Sequence, residues 1–286
     1  MSSSEATQSE AVETARNYYN SEDADTFYSQ VWGGEDIHIG MYANADEPIS
    51  VASQRTVITM AKRLPQLDAN SHILDIGSGY CGAARYLAKT YGASVSALNL
   101  SEVENQRANA LNVAAGLAEK ITVTDGSFEQ IPFATASTSE PGFDILWSQD
   151  AILHSDKREQ VLAEAFRVLK PGGYFVFTDP MQADDCPAGV LQPILDRIHL
   201  SSLGSPGFYR TAAEELGFEV VEFDDQTNQL VNHYQRVLDE TEKFTPALEQ
   251  KIDPLYVSRM KTGLTYWIEG GRAGHLAWGI FLLRKP

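Results

Sequence analysis

The chain has 286 residues, enough for one large α/β domain with additions or for two small domains, and 43% of them are hydrophobic, which allows a sizeable core. Its 39 acidic against 22 basic side chains give a net charge of −17, which argues against a nucleic-acid partner because phosphates would be repelled. The sequence has two cysteines, no signal peptide and no 18-residue apolar run, so we expect a reduced, cytoplasmic protein without membrane association.

The first 65 residues predict an N-terminal helical cap. We expect disorder over residues 1–10, followed by one or two short helices over 10–31, where apolar and aromatic residues have helical spacing. A glycine-rich loop at 32–42 and a helix over 48–64 complete the cap.

Residues 66–286 predict the main domain, because strands and helices alternate along it. The strands are predicted at 72–76, 94–99, 121–124, 143–148, 174–179, 218–223 and 275–283, and the helices at 82–91, 101–116 and 156–168. A helical insertion at about 226–262 separates the last two strands. The pattern indicates an α/β fold with a doubly wound, mostly parallel, seven-stranded Rossmann-like sheet, whose ligand crevice lies at the carboxyl ends of the strands.

The first predicted strand runs into three glycines with the spacing G-x-G-x-x-G, namely Gly77, Gly79 and Gly82. Such a turn lets the backbone approach a nucleotide-bearing cofactor, because a Cβ would block the approach. The spacing also occurs in NAD and FAD folds, but Asp75 at the strand end suits a cofactor with a positive end. The loop resembles the first motif of class I S-adenosylmethionine-dependent methyltransferases, which implies S-adenosylmethionine as the cofactor.

The next two strands end in residues that depart from the common pattern of this fold. Asn99 stands where an acid usually binds the ribose hydroxyls, and Gln106 follows one turn into the next helix. After the third strand, Ser127 replaces the aspartate that meets the adenine amino group, and Phe128 is expected to hold the adenine.

The fourth strand ends in polar residues expected to face the transferred methyl group. Gln149 is predicted to contact the cofactor, and Asp150 and His154 are predicted to be catalytic. Their spacing of four residues puts Asp150 and His154 on one face if the segment is helical.

Four segments resemble the glycine betaine-forming class I methyltransferases, and most closely the sarcosine/dimethylglycine N-methyltransferases: residues 32–40, 52–57, 147–155 and 263–272. The resemblance implies methylation of sarcosine to dimethylglycine and then to trimethylglycine, an osmolyte. The fourth-strand segment is also similar to phosphoethanolamine methyltransferases, in which a Tyr–His pair orders the site. The matching residues are Tyr19 and His154.

The substrate of such an enzyme is a small amino acid whose product carries a quaternary ammonium. Tyr28, Trp32 and Trp147 are predicted to hold this cation by cation–π attraction. Arg210 is predicted to bind the carboxylate, with Arg55, Arg259 and Arg272 as other possibilities. The histidines and cysteines show no metal-ligand spacing, so no metal is expected.

Several alternatives stay open at this point. A phosphobase N-methyltransferase needs a basic cluster for phosphate, and around residues 200–215 only Arg210 is basic. A cyclopropane-synthase-type enzyme and an NAD-dependent oxidoreductase fit the sequence less well, and a non-catalytic S-adenosylmethionine-binding protein would not need Asp150 or His154. We expect a monomer or a homodimer.

Overall fold

The computed structural model describes residues 10–32, 35–137 and 142–286. The predicted disorder therefore lies outside the described residues, apart from Glu10, and so do Gly33 and Gly34 of the predicted glycine-rich loop. Within the described residues no helix is both long enough and apolar enough to cross a membrane.

Nine strands are described: β1 His72–Ile76, β2 Ser94–Asn99, β3 Ile121–Asp125, β4 Phe143–Gln149, β5 Leu169–Thr178, β6 Met181–Gln182, β7 Glu219–Asp225, β8 Leu276–Ala277 and β9 Gly279–Arg284. Seven form one sheet in the order β3-β2-β1-β4-β5-β9-β7, and β6 pairs with β8. The pairs from β3 to β5 are parallel, and β9 runs antiparallel to β5 and β7. The predicted doubly wound sheet is confirmed, and its strand order reverses between β1 and β4, where ligands bind in such folds.

Ten α-helices are described: α1 Glu10–Tyr19, α2 Glu22–Val31, α3 Ile49–Ala61, α4 Gly82–Tyr91, α5 Glu102–Ala114, α6 Arg158–Val168, α7 Gln192–Ile198, α8 Pro206–Leu216, α9 Thr227–Leu248 and α10 Pro254–Arg272. A short 3-10 turn spans Ile152–His154. The helices α4, α5 and α6 begin and end within two residues of their predicted bounds.

The sheet is buried on both faces. Neighbouring residues of β1 belong to different apolar clusters, one on each face. Leu74 and Ile76 pack with residues of α6 and α8, whereas Ile73 packs with residues of α3 and α4. This two-sided burial explains why β1 has an almost continuous apolar sequence.

Several elements differ from the prediction. The predicted strand at 275–283 is divided at Trp278 into β8, which pairs with β6, and β9, and neither β6 nor α7 was predicted. The helical segment between β7 and β8 runs to Arg272, ten residues beyond the predicted end of the insertion. β5 begins at Leu169 because the turn at 170–173 is accommodated as an irregularity in its pairing with β4. Arg210 was expected in a loop and lies in α8, whose start is marked by Ser205, which caps the Phe208 N–H, and by Pro206 in the first turn.

The N-terminal helices pack against the helical insertion. Phe27 and Val31 of α2 share an apolar cluster with Val237 of α9 and with Met260 and Leu264 of α10. The two parts of the chain outside the sheet therefore form one helical layer above its carboxyl edge. The division into a cap at 1–65 and a main domain at 66–286 stays a prediction.

Candidate active site

Three cavities follow one another along the carboxyl edge of the sheet. The loop cavity, of about 30 Å³, lies against the glycines that follow β1. The narrow cavity, of about 80 Å³, lies beside the ends of β2, β3 and β4. The aromatic cavity, of about 610 Å³, lies beneath the helical layer. Tyr19, Asp150 and His154 line both the narrow and the aromatic cavity, so these two meet there.

Backbone geometry shapes the loop cavity. Gly77 has φ +72°, and a Cβ on it would lie 2.3 Å from the Cβ of Ala151. A Cβ on Gly82 would lie 2.1 Å from Oδ1 of Asp36. Asp75 lines the same cavity and is buried, and loss of solvation raises its pKa to about 7. A cation bound in this cavity would offset the unfavourable free energy of burying the Asp75 carboxylate.

The narrow cavity is lined by Asn99, Ser127 and Phe128, which the sequence predicts, and by Glu104, which it does not. Asn99 Nδ2 donates to Oε2 of Glu104 at 2.9 Å, so the amide and the carboxylate form one polar group at the end of β2. Glu104 could have been found as the acid one turn into α5, three residues after the capping Ser101. Gln106 lies on the exposed side of α5, outside the cavity lining.

Gln149 lines both the loop and the narrow cavity. Its Oε1 accepts a hydrogen bond from Nε1 of Trp147 at 2.9 Å, which fixes the orientation of the amide. Its buried Nε2 has no hydrogen-bond partner among the described residues. Because buried polar atoms are almost always paired, this donor indicates a place for a ligand acceptor.

Tyr19 and His154 form a pair where the narrow and aromatic cavities meet. The Tyr19 hydroxyl lies 3.0 Å from Nε2 of His154. Loss of solvation, with a smaller effect of Arg158, lowers the pKa of His154 to about 4, so the imidazole is neutral at pH 7. Loss of solvation also raises the pKa of Tyr19, so both partners of this hydrogen bond are uncharged at neutral pH.

Asp150 lies at the end of β4 in a left-handed conformation, with φ +52°. Its Oδ2 accepts the Ile39 N–H at 2.6 Å, and its Oδ1 accepts Nε1–H of Trp278 at 2.8 Å. Asp150 and His154 therefore do not share a helical face, since only residues 152–154 form a helical turn. Loss of solvation raises the pKa of Asp150, against the effects of His38 and of these hydrogen bonds.

His38 lies at the edge of the loop and aromatic cavities. Its Nε2 is 3.5 Å from Oδ1 of Asp36. Burial opposes a charge on the imidazole, but Asp36 and Asp150 outweigh burial and raise the pKa of His38. His38 comes from the loop before α3, and no sequence pattern indicates that it lies near Asp150.

The aromatic cavity is lined by rings from both parts of the helical layer: Tyr18, Tyr19, Tyr28, Trp32, Tyr234, Tyr256 and Trp267. The Tyr18 hydroxyl lies 3.2 Å from that of Tyr28 and 3.1 Å from that of Tyr256. The rings of Tyr28 and Trp32 have centroids 5.1 Å apart. Such a concentration of ring faces suits an alkylated ammonium.

Two predicted substrate residues lie elsewhere in the structure. Trp147 is fully buried in the core cluster of β1 and α4, and it reaches the site only through Gln149. Arg210 is exposed on α8 and does not line any of the three cavities. The arginines that line the aromatic cavity are Arg197 and Arg259. Among the described residues no group of three His, Cys, Asp or Glu side chains could hold a metal ion.

Comparison with known proteins agrees with this geometry. A family model described as a methyltransferase domain matches residues 74–177. A sarcosine/dimethylglycine N-methyltransferase from Halorhodospira halochloris is 54% identical over 276 residues, which cover 96% of this chain and 97% of that protein.

Solved structures extend the comparison. The crystal structure of a candidate sarcosine dimethylglycine methyltransferase from Galdieria sulphuraria superposes with a TM-score of 0.88 at 44% identity, covering 94% of this chain and 98% of that one. A Haemonchus contortus phosphoethanolamine N-methyltransferase 2 has a TM-score of 0.80 at 18% identity, over 98% of this chain and 61% of that one, and so shares the fold alone.

Proposed function

The chain belongs to the sarcosine/dimethylglycine N-methyltransferase family of S-adenosylmethionine-dependent enzymes, and from this premise we propose that it methylates the nitrogen of sarcosine and then of dimethylglycine to give glycine betaine. The observation that carries the proposal is that two cavities lined by the predicted cofactor residues meet an aromatic cavity beside Tyr19, Asp150 and His154. The family excludes the NAD-dependent oxidoreductase interpretation. The phosphobase alternative has in its favour the shared fold and the resemblance around the fourth strand, but its relatives have lower identity to this chain.

The loop and narrow cavities fit S-adenosylmethionine, the methyl donor of the family. We propose that Gly77, Gly79 and Gly82 admit its methionine part, with Asp75 beside the positive amino group. The unpartnered Nε2 of Gln149 is a donor directed at the same region.

The ribose and adenine would lie in the narrow cavity. Both N–H bonds of the Asn99 amide already donate, to Glu104 and to Asn105, so Asn99 Oδ1 and the Glu104 carboxylate would accept hydrogen bonds from the ribose hydroxyls. Ser127 and Phe128 line the part of the cavity assigned to adenine. When bound, the cofactor supplies a methyl group on a positive sulfonium.

The aromatic cavity would hold the amine. The ring faces of Tyr28 and Trp32 attract the alkylated ammonium, and each cation–π contact contributes about 0.5–2 kcal/mol. The Tyr19–His154 pair closes the junction and excludes water from the reacting nitrogen. Both residues are uncharged at neutral pH, so neither repels the cation that forms.

The amine must lose its proton before it can accept a methyl group. We propose that Asp150 receives this proton, since a raised pKa makes its carboxylate a stronger base and it lines both cavities. His154 is a weak base, because its pKa is lowered to about 4, and its role is to orient Tyr19 and the substrate. The four lone-pair positions of the Asp150 carboxylate leave room for a proton besides its two hydrogen bonds.

The proposal is tested by incubating the protein with methyl-labelled S-adenosylmethionine and, separately, glycine, sarcosine, dimethylglycine and phosphoethanolamine. Label should enter sarcosine and dimethylglycine, with trimethylglycine as the final product. Label in phosphoethanolamine alone would support the phosphobase alternative. Cofactor binding without label in any amine would support a non-catalytic binding protein.

We further propose that the enzyme acts in the cytoplasm to make an osmolyte. The two cysteines are unpaired, which suits a reducing compartment, and the product that the relatives' names imply is a zwitterion without net charge. Whether the enzyme is a monomer or a homodimer stays a prediction, as does the absence of a nucleic-acid partner.

A further inference from the structure

We propose that the guanidinium of Arg197 binds the substrate carboxylate in the aromatic cavity and so selects amino acids over amines that lack a carboxylate. This inference rests on the proposed function and deepens it. Arg197 lies at the end of α7, a helix that the sequence analysis did not predict, and it lines the aromatic cavity.

The guanidinium of Arg197 has few hydrogen-bond partners within the protein. Its one hydrogen-bond acceptor in the described part of the chain is Sδ of Met260, at 2.6 Å, and a thioether is a weak acceptor. No carboxylate of the described residues lies within ion-pair distance of it, whereas Arg85 pairs with Glu35 and Arg167 pairs with Glu164. A partly buried guanidinium with unused donors is suited to a carboxylate ligand.

Helix α10 leaves space for the side chain of Arg197 at Gly263. A Cβ on Gly263 would lie 2.2 Å from Nε of Arg197 and 2.5 Å from its Cζ. Glycine in a helix interior costs about 1 kcal/mol relative to alanine. The helix therefore carries a destabilising residue at the one point where alanine would displace the guanidinium from its present position.

A continuous wall of side chains connects Arg197 with the junction of the narrow and aromatic cavities at Tyr19 and His154. Sδ of Met260 also accepts the Tyr18 hydroxyl, at 3.7 Å. The ring of Tyr18 has its centroid 5.1 Å from that of Tyr19, which contacts His154. The guanidinium and the junction thus border one cavity.

The charges along this wall match a zwitterion. Arg197 supplies a positive charge to the cavity and Asp150 supplies an acidic group. The substrate's carboxylate and amine are complementary to these two groups. An amine without a carboxylate would leave Arg197 desolvated and unpaired.

The other arginines have weaker placements. Arg259 lines the cavity but is exposed to solvent. Arg55 pairs with Glu47 at 2.5 Å, and Arg272 is exposed and donates to Gln235. Arg210 lies outside the cavity on α8.

The experiment compares steady-state kinetics with dimethylglycine and with N,N-dimethylethanolamine, an amine of similar size without a carboxylate. Arg197→Met should raise KM for dimethylglycine by about 100-fold with kcat nearly unchanged, because the lost contact is equally strong in the ground and transition states. The preference for dimethylglycine over dimethylethanolamine should fall by the same factor. Arg197→Lys should recover part of the loss.

Gly263→Ala tests the position of the guanidinium without removing its charge. The added Cβ should displace it and raise KM for dimethylglycine by about tenfold, since one of two charge-assisted hydrogen bonds is lost. Arg272→Met is the matched control, because it removes an exposed arginine from the same helix as Gly263 without touching the cavity. Calorimetry with S-adenosylhomocysteine should give the same affinity for all four variants.

Contrary outcomes are distinguishable. If the wild type is active and Arg197→Met leaves KM for dimethylglycine unchanged, the inference about Arg197 is wrong and the proposed function still stands. A loss of carboxylate preference in Arg259→Met, with none in Arg197→Met, assigns the carboxylate to the other arginine and also overturns it. A wild type that methylates neither sarcosine nor dimethylglycine contradicts the proposed function before any variant is made.

Discussion

The loop cavity and the aromatic cavity both border His38, and they are built in opposite ways. The loop cavity takes most of its lining from one strand–loop–helix unit, over residues 75–83, and its shape depends on missing Cβ atoms. The aromatic cavity takes its rings from α1, α2, α9 and α10, and the hydroxyls of Tyr18 and Tyr256 meet across 238 residues of sequence. A local sequence pattern can therefore specify the cofactor end, whereas the substrate end depends on tertiary assembly.

This difference predicts different responses to mutation. A cavity shaped by backbone should lose its ligand abruptly when one methyl group fills it. A cavity lined by many rings should lose selectivity in smaller steps, because each ring contributes a small part of the binding energy.

The largest effect is expected from Gly77→Ala. The new Cβ would meet Ala151, and φ +72° is strained for alanine, so affinity for S-adenosylhomocysteine should fall by about 100-fold or more, measured by calorimetry. Gly116→Ala is the control, because Gly116 has φ +70° but open space around it. It should cost about 1–2 kcal/mol of unfolding free energy and leave cofactor affinity unchanged. Equal affinities of Gly77→Ala and Gly116→Ala for S-adenosylhomocysteine would show that the loop cavity does not depend on the missing Cβ of Gly77.

A slightly smaller effect on turnover is expected from Asp150→Asn. Asparagine tolerates the left-handed backbone but can accept only one of the two hydrogen bonds that Asp150 accepts. The change therefore removes the proton acceptor and weakens the contacts that position it, and kcat for dimethylglycine should fall by about 100-fold. Affinity for S-adenosylhomocysteine should change little. Asp184→Asn is the control, since Asp184 also accepts two hydrogen bonds but is exposed near α8. Loss of cofactor binding in Asp150→Asn would place this residue with the cofactor instead.

Tyr19→Phe should have a moderate effect, because it removes one hydroxyl and keeps the ring. The hydrogen bond to His154 contributes about 0.5–1.5 kcal/mol, so kcat should fall by up to about tenfold. Tyr28→Phe loses hydroxyl contacts with Tyr18 and Tyr19 but leaves the Tyr19–His154 hydrogen bond in place, so it should change kcat and KM by no more than about twofold, since the cation–π face remains. Equal kinetics for the two variants would contradict the role of the Tyr19–His154 pair.

The last prediction concerns the dependence of stability on pH, rather than turnover, and a histidine behind the aromatic cavity. His233 is fully buried, its Nδ1 lies 3.2 Å from the Gly40 nitrogen and 2.9 Å from the Tyr42 hydroxyl, and desolvation lowers its pKa to about 3. Below pH 6.5 the unfolded chain binds a proton that the folded chain does not, so stability falls as pH falls toward 3.

The comparison with His233→Asn isolates this group, because asparagine does not titrate. The difference in unfolding free energy, wild type minus variant, should decrease by about 1.4 kcal/mol per pH unit between pH 6 and pH 4. Urea unfolding at several pH values measures it. A constant difference over that range would mean that His233 is solvated or protonated in the folded protein.

The sequence predicts the sheet well because the sheet depends on local patterns. The apolar strand before Gly77, the glycines, Gly92 at the end of α4 and the capping Ser101 of α5 are each recognisable within about ten residues. The family resemblance then indicated the Tyr19–His154 pair, and the structure brings these side chains together across 135 residues. Their catalytic role stays a proposal.

The substrate end was less predictable for physical reasons. Trp147 was assigned to the substrate as an aromatic residue near the end of β4, but its side chain points into the core, where burial is more favourable. Arg197 and Tyr234 carry no motif, and only the packing of α7 and α9 directs them into the cavity. No local pattern distinguishes such residues from ordinary surface or core positions.

The most direct test of the account is a crystal structure with S-adenosylhomocysteine and dimethylglycine bound together. The account predicts the cofactor product along the loop and narrow cavities and dimethylglycine in the aromatic cavity, with its nitrogen beside Tyr19 and Asp150. Dimethylglycine bound outside the aromatic cavity, or with its nitrogen directed away from the junction, would contradict the central claim that these cavities form one methyl-transfer site.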